Sequence, residues 1–315
     1  MIDILLEIVS LKRPHRGANE RYVAEGILSR LPGEMRVFND AAGEPMAYVY
    51  VTDPASTSLF VGHLDTVHQE DGHNPVIFDE ELEWMSKADG LPLGADDGAG
   101  VWLLYMMALA GVPGTYLFPL GEERGGVGSD WMSGNVPKFL CQFKRAIAFD
   151  RKGTHSVITH QWAGRCCSDE FADALAAQLT TTIPGGYVFQ PDNTGVFTDT
   201  ANFIDEIPEC TNISAGYSNE HTGKETLDVG YLKALLVACL KIDWEALPTA
   251  RDPTFVDLWK HADDWGWEGR VSNDSGCAGI DLRTMTDEEV CEFVYDCPEE
   301  AAELLISMRN EGGMP

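Results

Sequence analysis

Leu59-Phe60-Val61-Gly62-His63-Leu64-Asp65 sets the reading of the whole chain. A run of three apolar residues suits a short, fully buried strand, and a glycine, a histidine and an aspartate follow it at once. The same order of residue types recurs downstream. Residues 115–120 run into Gly121-Glu122-Glu123, residues 146–149 run into Asp150, and residues 211–214 lead to Tyr217-Ser218-Asn219-Glu220-His221-Thr222. Helical patterns over 98–110, 168–180 and 227–242 alternate with these runs. Upstream, 5–11 and 19–31 read as helices parted by the Arg13-Pro14-His15-Arg16-Gly17 turn. Buried strands alternating with helices predict an α/β fold, a three-layer sandwich around a mostly parallel central sheet. In such sheets, sites form outside the carboxyl ends of the strands, and that is where these acids and histidines fall.

Leu93-Gly94-Ala95-Asp96-Asp97-Gly98 adds a fifth group, at the entry to the most apolar helix. Singly, each motif reads as structure. His-x-Asp can be a cap or a surface pair, Glu-Glu is commonly solvated, and Asp96-Asp97 can cap a helix and favour its positive end. Five such motifs, each in the same apolar-then-acid context, outweigh that reading and point to metal-type ligands gathered on one rim.

Composition narrows the function classes. The chain has 315 residues, 44% hydrophobic and 23% charged, with 22 Lys+Arg against 51 Asp+Glu for a net charge of −29. That is globular composition. The acidic balance argues against nucleic acid or an anionic membrane surface as partner, because phosphate is repelled. No apolar stretch reaches bilayer-spanning length. The N-terminal run meets Glu7, and its basic residues, Lys12 and Arg13, come after it, unlike a secretory signal. The eight cysteines form no C-x-x-C pair, so reduced thiols and a cytoplasmic location are expected. Residues 1–243 read as one domain. Residues 244–315, with 17 acidic and 5 basic residues from Glu245 on, read as an acidic helical appendage; Thr286-Asp287-Glu288-Glu289 has the form of a capping box.

In order, His-x-Asp, Asp, Glu-Glu, Asp and His resemble the superfamily of co-catalytic dizinc exopeptidases, which includes leucyl aminopeptidases, peptidase T and glutamate carboxypeptidases. The segments that carry the resemblance are Val61-Gly62-His63-Leu64-Asp65-Thr66-Val67, Leu93-Gly94-Ala95-Asp96-Asp97-Gly98-Ala99-Gly100, Gly121-Glu122-Glu123-Arg124-Gly125-Gly126-Val127-Gly128-Ser129, Ala148-Phe149-Asp150, and Glu220-His221-Thr222 followed by Glu225. They span roughly residues 1–243.

The resemblance implies a phosphorylase/hydrolase-like zinc peptidase fold and two zinc ions, with cobalt or manganese as alternatives. One ion would be held by His63, Asp96 and Asp150, the other by Asp96, Glu123 and His221, with Asp96 bridging. Asp65 would take the second ring N–H of His63 and so fix its tautomer. Glu122 would act as general base. The family often has a cis peptide after the bridging aspartate, here Asp96-Asp97. Two ions in such a site lower the pKa of water, polarise the scissile carbonyl and stabilise the tetrahedral oxyanion.

Insertions separate the branches of the superfamily. Carboxypeptidase, deacylase and peptidase T relatives carry a lid domain before the last histidine. Here only residues 151–220 lie there, and they already supply strands and a helix expected of the sheet. The gap from Asp65 to Asp96 is too short for the domain inserted in self-assembling aminopeptidases. The resemblance therefore implies a lidless, single-domain aminopeptidase acting on short peptides or amino-acid amides, although Gly94 to Gly100 looks more like peptidase T. Dipeptidase, carboxypeptidase or N-acyl amino acid deacylase activity, and a non-catalytic binding role on the same scaffold, stand as alternatives. Oligomeric state is open.

Beyond the ligands, Tyr217 and Glu225 read either as groups orienting substrate or ligand or as packing and helix-start residues. Asp199 and Asn202 lie where relatives shape the specificity pocket. Arg151 reads as an ion-pair partner of its neighbour, and His155 and His160 as surface or satisfied core residues.

Overall fold

The computed structural model describes residues 2–254 apart from Ala88 and Ala163. Eight strands form the main sheet: β1 (Arg36–Asn39), β2 (Pro45–Val51), β3 (Ser58–Val61), β4 (Thr115–Pro119), β5 (Arg145–Arg151), β6 (Ser156–Ile158), β7 (Gln190–Asp192) and β8 (Glu209–Ser214). Their spatial order is β7-β6-β8-β5-β3-β4-β2-β1. The four central strands, β8, β5, β3 and β4, pair in parallel, while β2 and β1 continue the sheet antiparallel. The chain has the expected mixed α/β architecture with a mostly parallel centre.

Alternation along β3 explains how both faces are covered. Phe60 enters the apolar cluster on one face, whereas Leu59 and Val61 enter the cluster on the other. On the first face pack helices α1 (Ile2–Val9), α2 (Ala95–Leu109), α4 (Asp169–Thr182) and α5 (Val229–Cys239), through Ile8, Trp102, Leu175 and Leu235 among others. The second face takes α3 (Val127–Asn135) through Met132 and the 3-10 helix Asp199–Phe203 through Phe203. Side-chain caps start two of these helices: Ser168 Oγ accepts the Phe171 N–H of α4, and Asp228 accepts the Tyr231 N–H of α5.

Residues 151–220 supply β6, α4, β7 and β8, all part of the main sandwich. A small four-stranded antiparallel sheet, built from Ile77–Asp79, Trp84–Ser86, Thr226–Asp228 and Tyr217–Ser218, joins the segment before α2 to the hairpin before α5.

Two sequence expectations shift. The helix expected over 19–31 is regular only over Ala18–Tyr22; it continues as a π turn, Val23–Ile27, and a 3-10 turn, Leu28–Arg30. Gly26 in its middle weakens the helical preference. The strands β1 and β2, absent from the sequence reading, form a hairpin whose outer member is largely exposed.

After α5 the chain turns back under the sheet. Trp244, buried, packs edge-on against Phe60. The Glu245 carboxylate accepts from Ser56, Thr57 and Ser58, while Arg145 donates to the Leu247 carbonyl. Glu209 accepts the N–H groups of Ala250 and Arg251. Ser58, Arg145 and Glu209 open β3, β5 and β8, so this strap seals the sheet at the amino ends of its parallel strands. Trp244 to Thr254, expected as the start of the acidic appendage, thus belong with the sheet, and the rest of that appendage lies outside the described residues.

Candidate metal centre

Four parallel strands with one direction bring their carboxyl ends, and the loops that follow, to one rim. There the side chains of five chain segments converge around Asp96. Its Oδ1 lies 3.2 Å from His63 Nε2, and its Oδ2 lies 3.0 Å from His221 Nε2. The two oxygens thus face two separate groups. On the His63 side stands Asp150, with Oδ1 3.6 Å from His63 Nε2. On the His221 side stands Glu123, with Oε1 3.0 Å from His221 Nε2. Asp96, Glu123 and His221 each offer one donor atom within 4.8 Å of the others. Glu122 completes the rim, 3.9 Å from His63 Nε2 through Oε2.

Local structure explains these positions. The peptide Asp96-Asp97 is cis, as the resemblance implies, and both residues leave helical geometry, so regular α2 begins only after them. Asp97, fully buried, accepts the N–H groups of Gly100 and His63 and ties the helix entry to the end of β3. Only glycine fits at position 100, because a Cβ there would lie 2.3 Å from Asp97 Oδ1. Gly121, at φ +78°, turns the chain from β4 into the short 3-10 helix Glu122–Arg124. His221 also adopts a left-handed backbone, at φ 63°, which is uncommon for a side-chain-bearing residue.

Outer contacts orient the donors. Asp65 accepts the Glu122 N–H at Oδ1 and the Glu123 N–H at Oδ2, at 3.1 and 3.2 Å. His63 Nδ1 bonds the Asp65 carbonyl oxygen at 3.1 Å and stands 3.4 Å from Asp65 Oδ1, so one residue holds a histidine and the Glu-Glu turn together. Tyr217 donates its hydroxyl to Asp150 Oδ1 at 3.0 Å. Glu225 accepts four successive N–H groups, those of Leu93, Gly94, Ala95 and Asp96, at 2.8 to 3.1 Å.

Several groups titrate far from their ordinary values. Burial first, then the charges of Asp150, Asp199 and Asp96, hold Glu122 well above the usual carboxylate range. Burial and Asp96 raise Asp150 to about 6. The carboxylates of Asp96 and Glu123, each 3.0 Å from its Nε2, raise His221 to about 11. Burial opposes charge on His63, yet Glu122, Asp150, Asp65 and Asp96 together hold it well above the histidine range. Such crowding of like charges marks functional sites.

The donor set fits divalent cations. Among the described residues, the only ion-pair partners of Asp96, Glu122, Glu123 and Asp150 within 4.0 Å are His63 and His221. Glu123 Oε1 is buried without a hydrogen bond even though His221 Nε2 stands 3.0 Å away. A carboxylate oxygen and a ring nitrogen that approach off the hydrogen-bond line have the arrangement of ligands aimed at one ion. Imidazole and carboxylate donors suit zinc, and carboxylates also suit manganese.

Asp96, Glu122, Glu123, Asp150, Tyr217 and His221 line a cleft of about 420 Å³. Asp199 and Asn202 do not line it. Asp199 is buried with neither oxygen hydrogen-bonded and is raised by burial to about 7; the neighbouring Ser129 hydroxyl is donated to the Gly126 carbonyl instead. Asn202 donates to Ser129 Oγ.

Solved structures share this architecture. The aminopeptidase PepT from Bacillus cereus matches with a TM-score of 0.58 at 14% identity, covering 76% of this chain and 96% of that one. A tripeptidase from Staphylococcus aureus matches with a TM-score of 0.60 at 13% identity, over 76% and 95%. An aminopeptidase from the archaeon Desulfurococcus kamchatkensis gives 0.52 at 14% identity, over 78% and 95%. The chain has the aminopeptidase fold. No family model and no curated protein matches the sequence.

Within that fold, sequence reasoning missed two residues beneath the site. Asp97 was read only as part of a cis pair. Arg13, read as part of a turn, is fully buried and donates to the carbonyls of Ile8, Leu64 and Gly94. It joins the His63 loop to the Asp96 loop and places a cation under the cluster of carboxylates. A single arginine beside a proline carries no sequence signal of this kind.

Proposed function

We propose that the protein is a metal-dependent aminopeptidase that releases N-terminal residues from short peptides. The observation that carries this reading is the pair of oxygens of Asp96, one facing His63 and Asp150 and the other facing His221 and Glu123. His63, Asp96 and Asp150 would hold one ion, and Asp96, Glu123 and His221 the other. Two zinc ions, or cobalt or manganese, would supply Lewis acidity for the scissile carbonyl and lower the pKa of an attacking water.

The chain's own residues do the rest. Glu122, held by its N–H on Asp65 and crowded by like charge, takes a proton from water and returns it to the leaving amine. Asp65 and Tyr217 keep His63 and Asp150 in place. The likeness in fold to aminopeptidases and to a tripeptidase supports an aminopeptidase over a deacylase. Residues 1–243 with the strap that follows would form the catalytic domain, and the acidic residues beyond Thr254 an appendage to it. No described helix is long and apolar enough to cross a membrane.

Hydrolysis of free-amine peptides and aminoacyl amides, compared with their N-acetylated forms in the presence of zinc or cobalt, tests this. Cleavage confined to free amines is expected. The Glu122→Gln variant should lose about 10²- to 10⁴-fold in turnover while still binding metal. Preferred cleavage of N-acetyl substrates would move the reading to the deacylases, and substantial turnover by Glu122→Gln would remove Glu122 as the base.

A further inference from the structure

The cleft also carries charge opposite to that of the candidate metal ligands. Besides the candidate ligand His221, the cations among its lining residues are Arg151, which ends β5, and Lys152, which follows it. In a chain of net charge −29, a carboxylate-bearing ligand is repelled unless local cations offset the field. Both side chains keep donors in reserve. Arg151 bonds Thr194 Oγ1 at 2.8 Å through Nη2 and stands 3.7 Å from Asp192, whose oxygens already accept from Ser156 and Thr194. Its Nε is buried without a partner, and no bond engages Nη1 among the described residues. Lys152 is half exposed and pairs with Glu220 through Nζ, leaving donors free.

The backbone under these cations is fixed. Asn212 accepts the Asp150 N–H and donates to the Asp150 carbonyl, at 2.8 and 2.7 Å. Arg151 and Lys152 therefore stand at a set distance from a residue of the ligand cluster. Ile158, Val196 and Phe197 give the same cleft an apolar wall suited to side chains. Its volume, about 420 Å³, is that of a small-ligand pocket and not of a groove for a long chain.

We propose that Arg151 and Lys152 form a subsite for a carboxylate on the leaving-group side of the scissile bond, which selects dipeptides and tripeptides. This rests on the exopeptidase reading of the same cleft. The carboxylate of such a peptide meets these cations, which places its amino end toward the metal-ligand rim. The carboxylate can come from the peptide terminus or from an acidic second residue.

The probes are leucylglycine, leucylglycinamide and the amide of leucylglutamate, measured by turnover on the zinc-loaded protein and by calorimetric binding to its Glu122→Gln variant. We expect leucylglycine to exceed leucylglycinamide by about tenfold in kcat/KM, carried by KM, with the same order in binding. Arg151→Gln should bring the two near parity, Arg151→Lys should retain part of the preference, and the exposed Lys152→Gln should lower it without affecting the fold. A preference only for the leucylglutamate amide would keep the subsite and assign it to an acidic side chain. Equal handling of all three probes by the native protein, or a preference that survives both Arg151→Gln and Lys152→Gln, would overturn the proposal. Discrimination in binding with no turnover of any probe would instead overturn the peptidase reading and leave the carboxylate subsite standing.

Discussion

Tyr217 has a single polar partner of consequence, Asp150, and is itself buried. Its hydroxyl fixes which way that carboxylate faces. Replacing Tyr217 with Phe removes the bond and little else. Zinc affinity is expected to fall about 10- to 100-fold by calorimetric titration while stability changes little; unchanged affinity would reduce Tyr217 to packing. The candidate ligand residues were legible in the sequence because each borders an apolar run and carries donor chemistry. The residues that hold them were not. Glu225 stood out only by its distance from His221, and nothing in the sequence says that it gathers four backbone N–H groups. Arg13 is further removed still, since its partners are carbonyls that every residue possesses.

Elements divide in the same way. The central strands and α2, α4 and α5 are long enough, and apolar enough, for period and composition to show them. Strand β2, paired on both sides, has an apolar run like those of the central strands and was legible in principle. The edge strand β1 is largely exposed, and the small sheet of two- and three-residue strands rests on pairing with other segments, so neither shows a buried period of its own. The strap after α5 belongs with these. Its Glu245 is held by hydroxyls of residues 56–58, and its carboxyl lies near 2, below the ordinary 4.5; burial alone would raise it, so the bonds to Ser56, Thr57 and Ser58 prevail. A lowered folded-state pKa contributes stability above the unfolded value, and that contribution is lost as pH falls toward the folded one. Glu245→Gln should therefore cost about 1 kcal/mol near neutrality, allowing for solvent screening of a partly exposed group. In denaturant melts the difference from the native protein should narrow between pH 4.5 and 2. A difference independent of pH would mean that the carboxylate charge plays no part.

At the scale of the molecule, the strap closes the sheet at the end remote from the metal ligands, and the cleft opens at the other. Its buried Trp244 and Leu247 complete the core that α5 begins. A chain ended after residue 243 should be less stable than one ended after residue 254 by about 3 kcal/mol or more, from lost apolar burial and an uncovered Arg145. Equal denaturant midpoints would show that the core is complete without the strap.

The central claim concerns one residue and the whole site together: Asp96 bridges two ions. Zinc titration with metal counting on the native chain, Asp96→Asn and His221→Ala tests it most directly. Two ions per native chain, one retained by His221→Ala and both weakened by Asp96→Asn, is the expected result. A single ion in the native protein, or two ions still tightly held by Asp96→Asn, would contradict it.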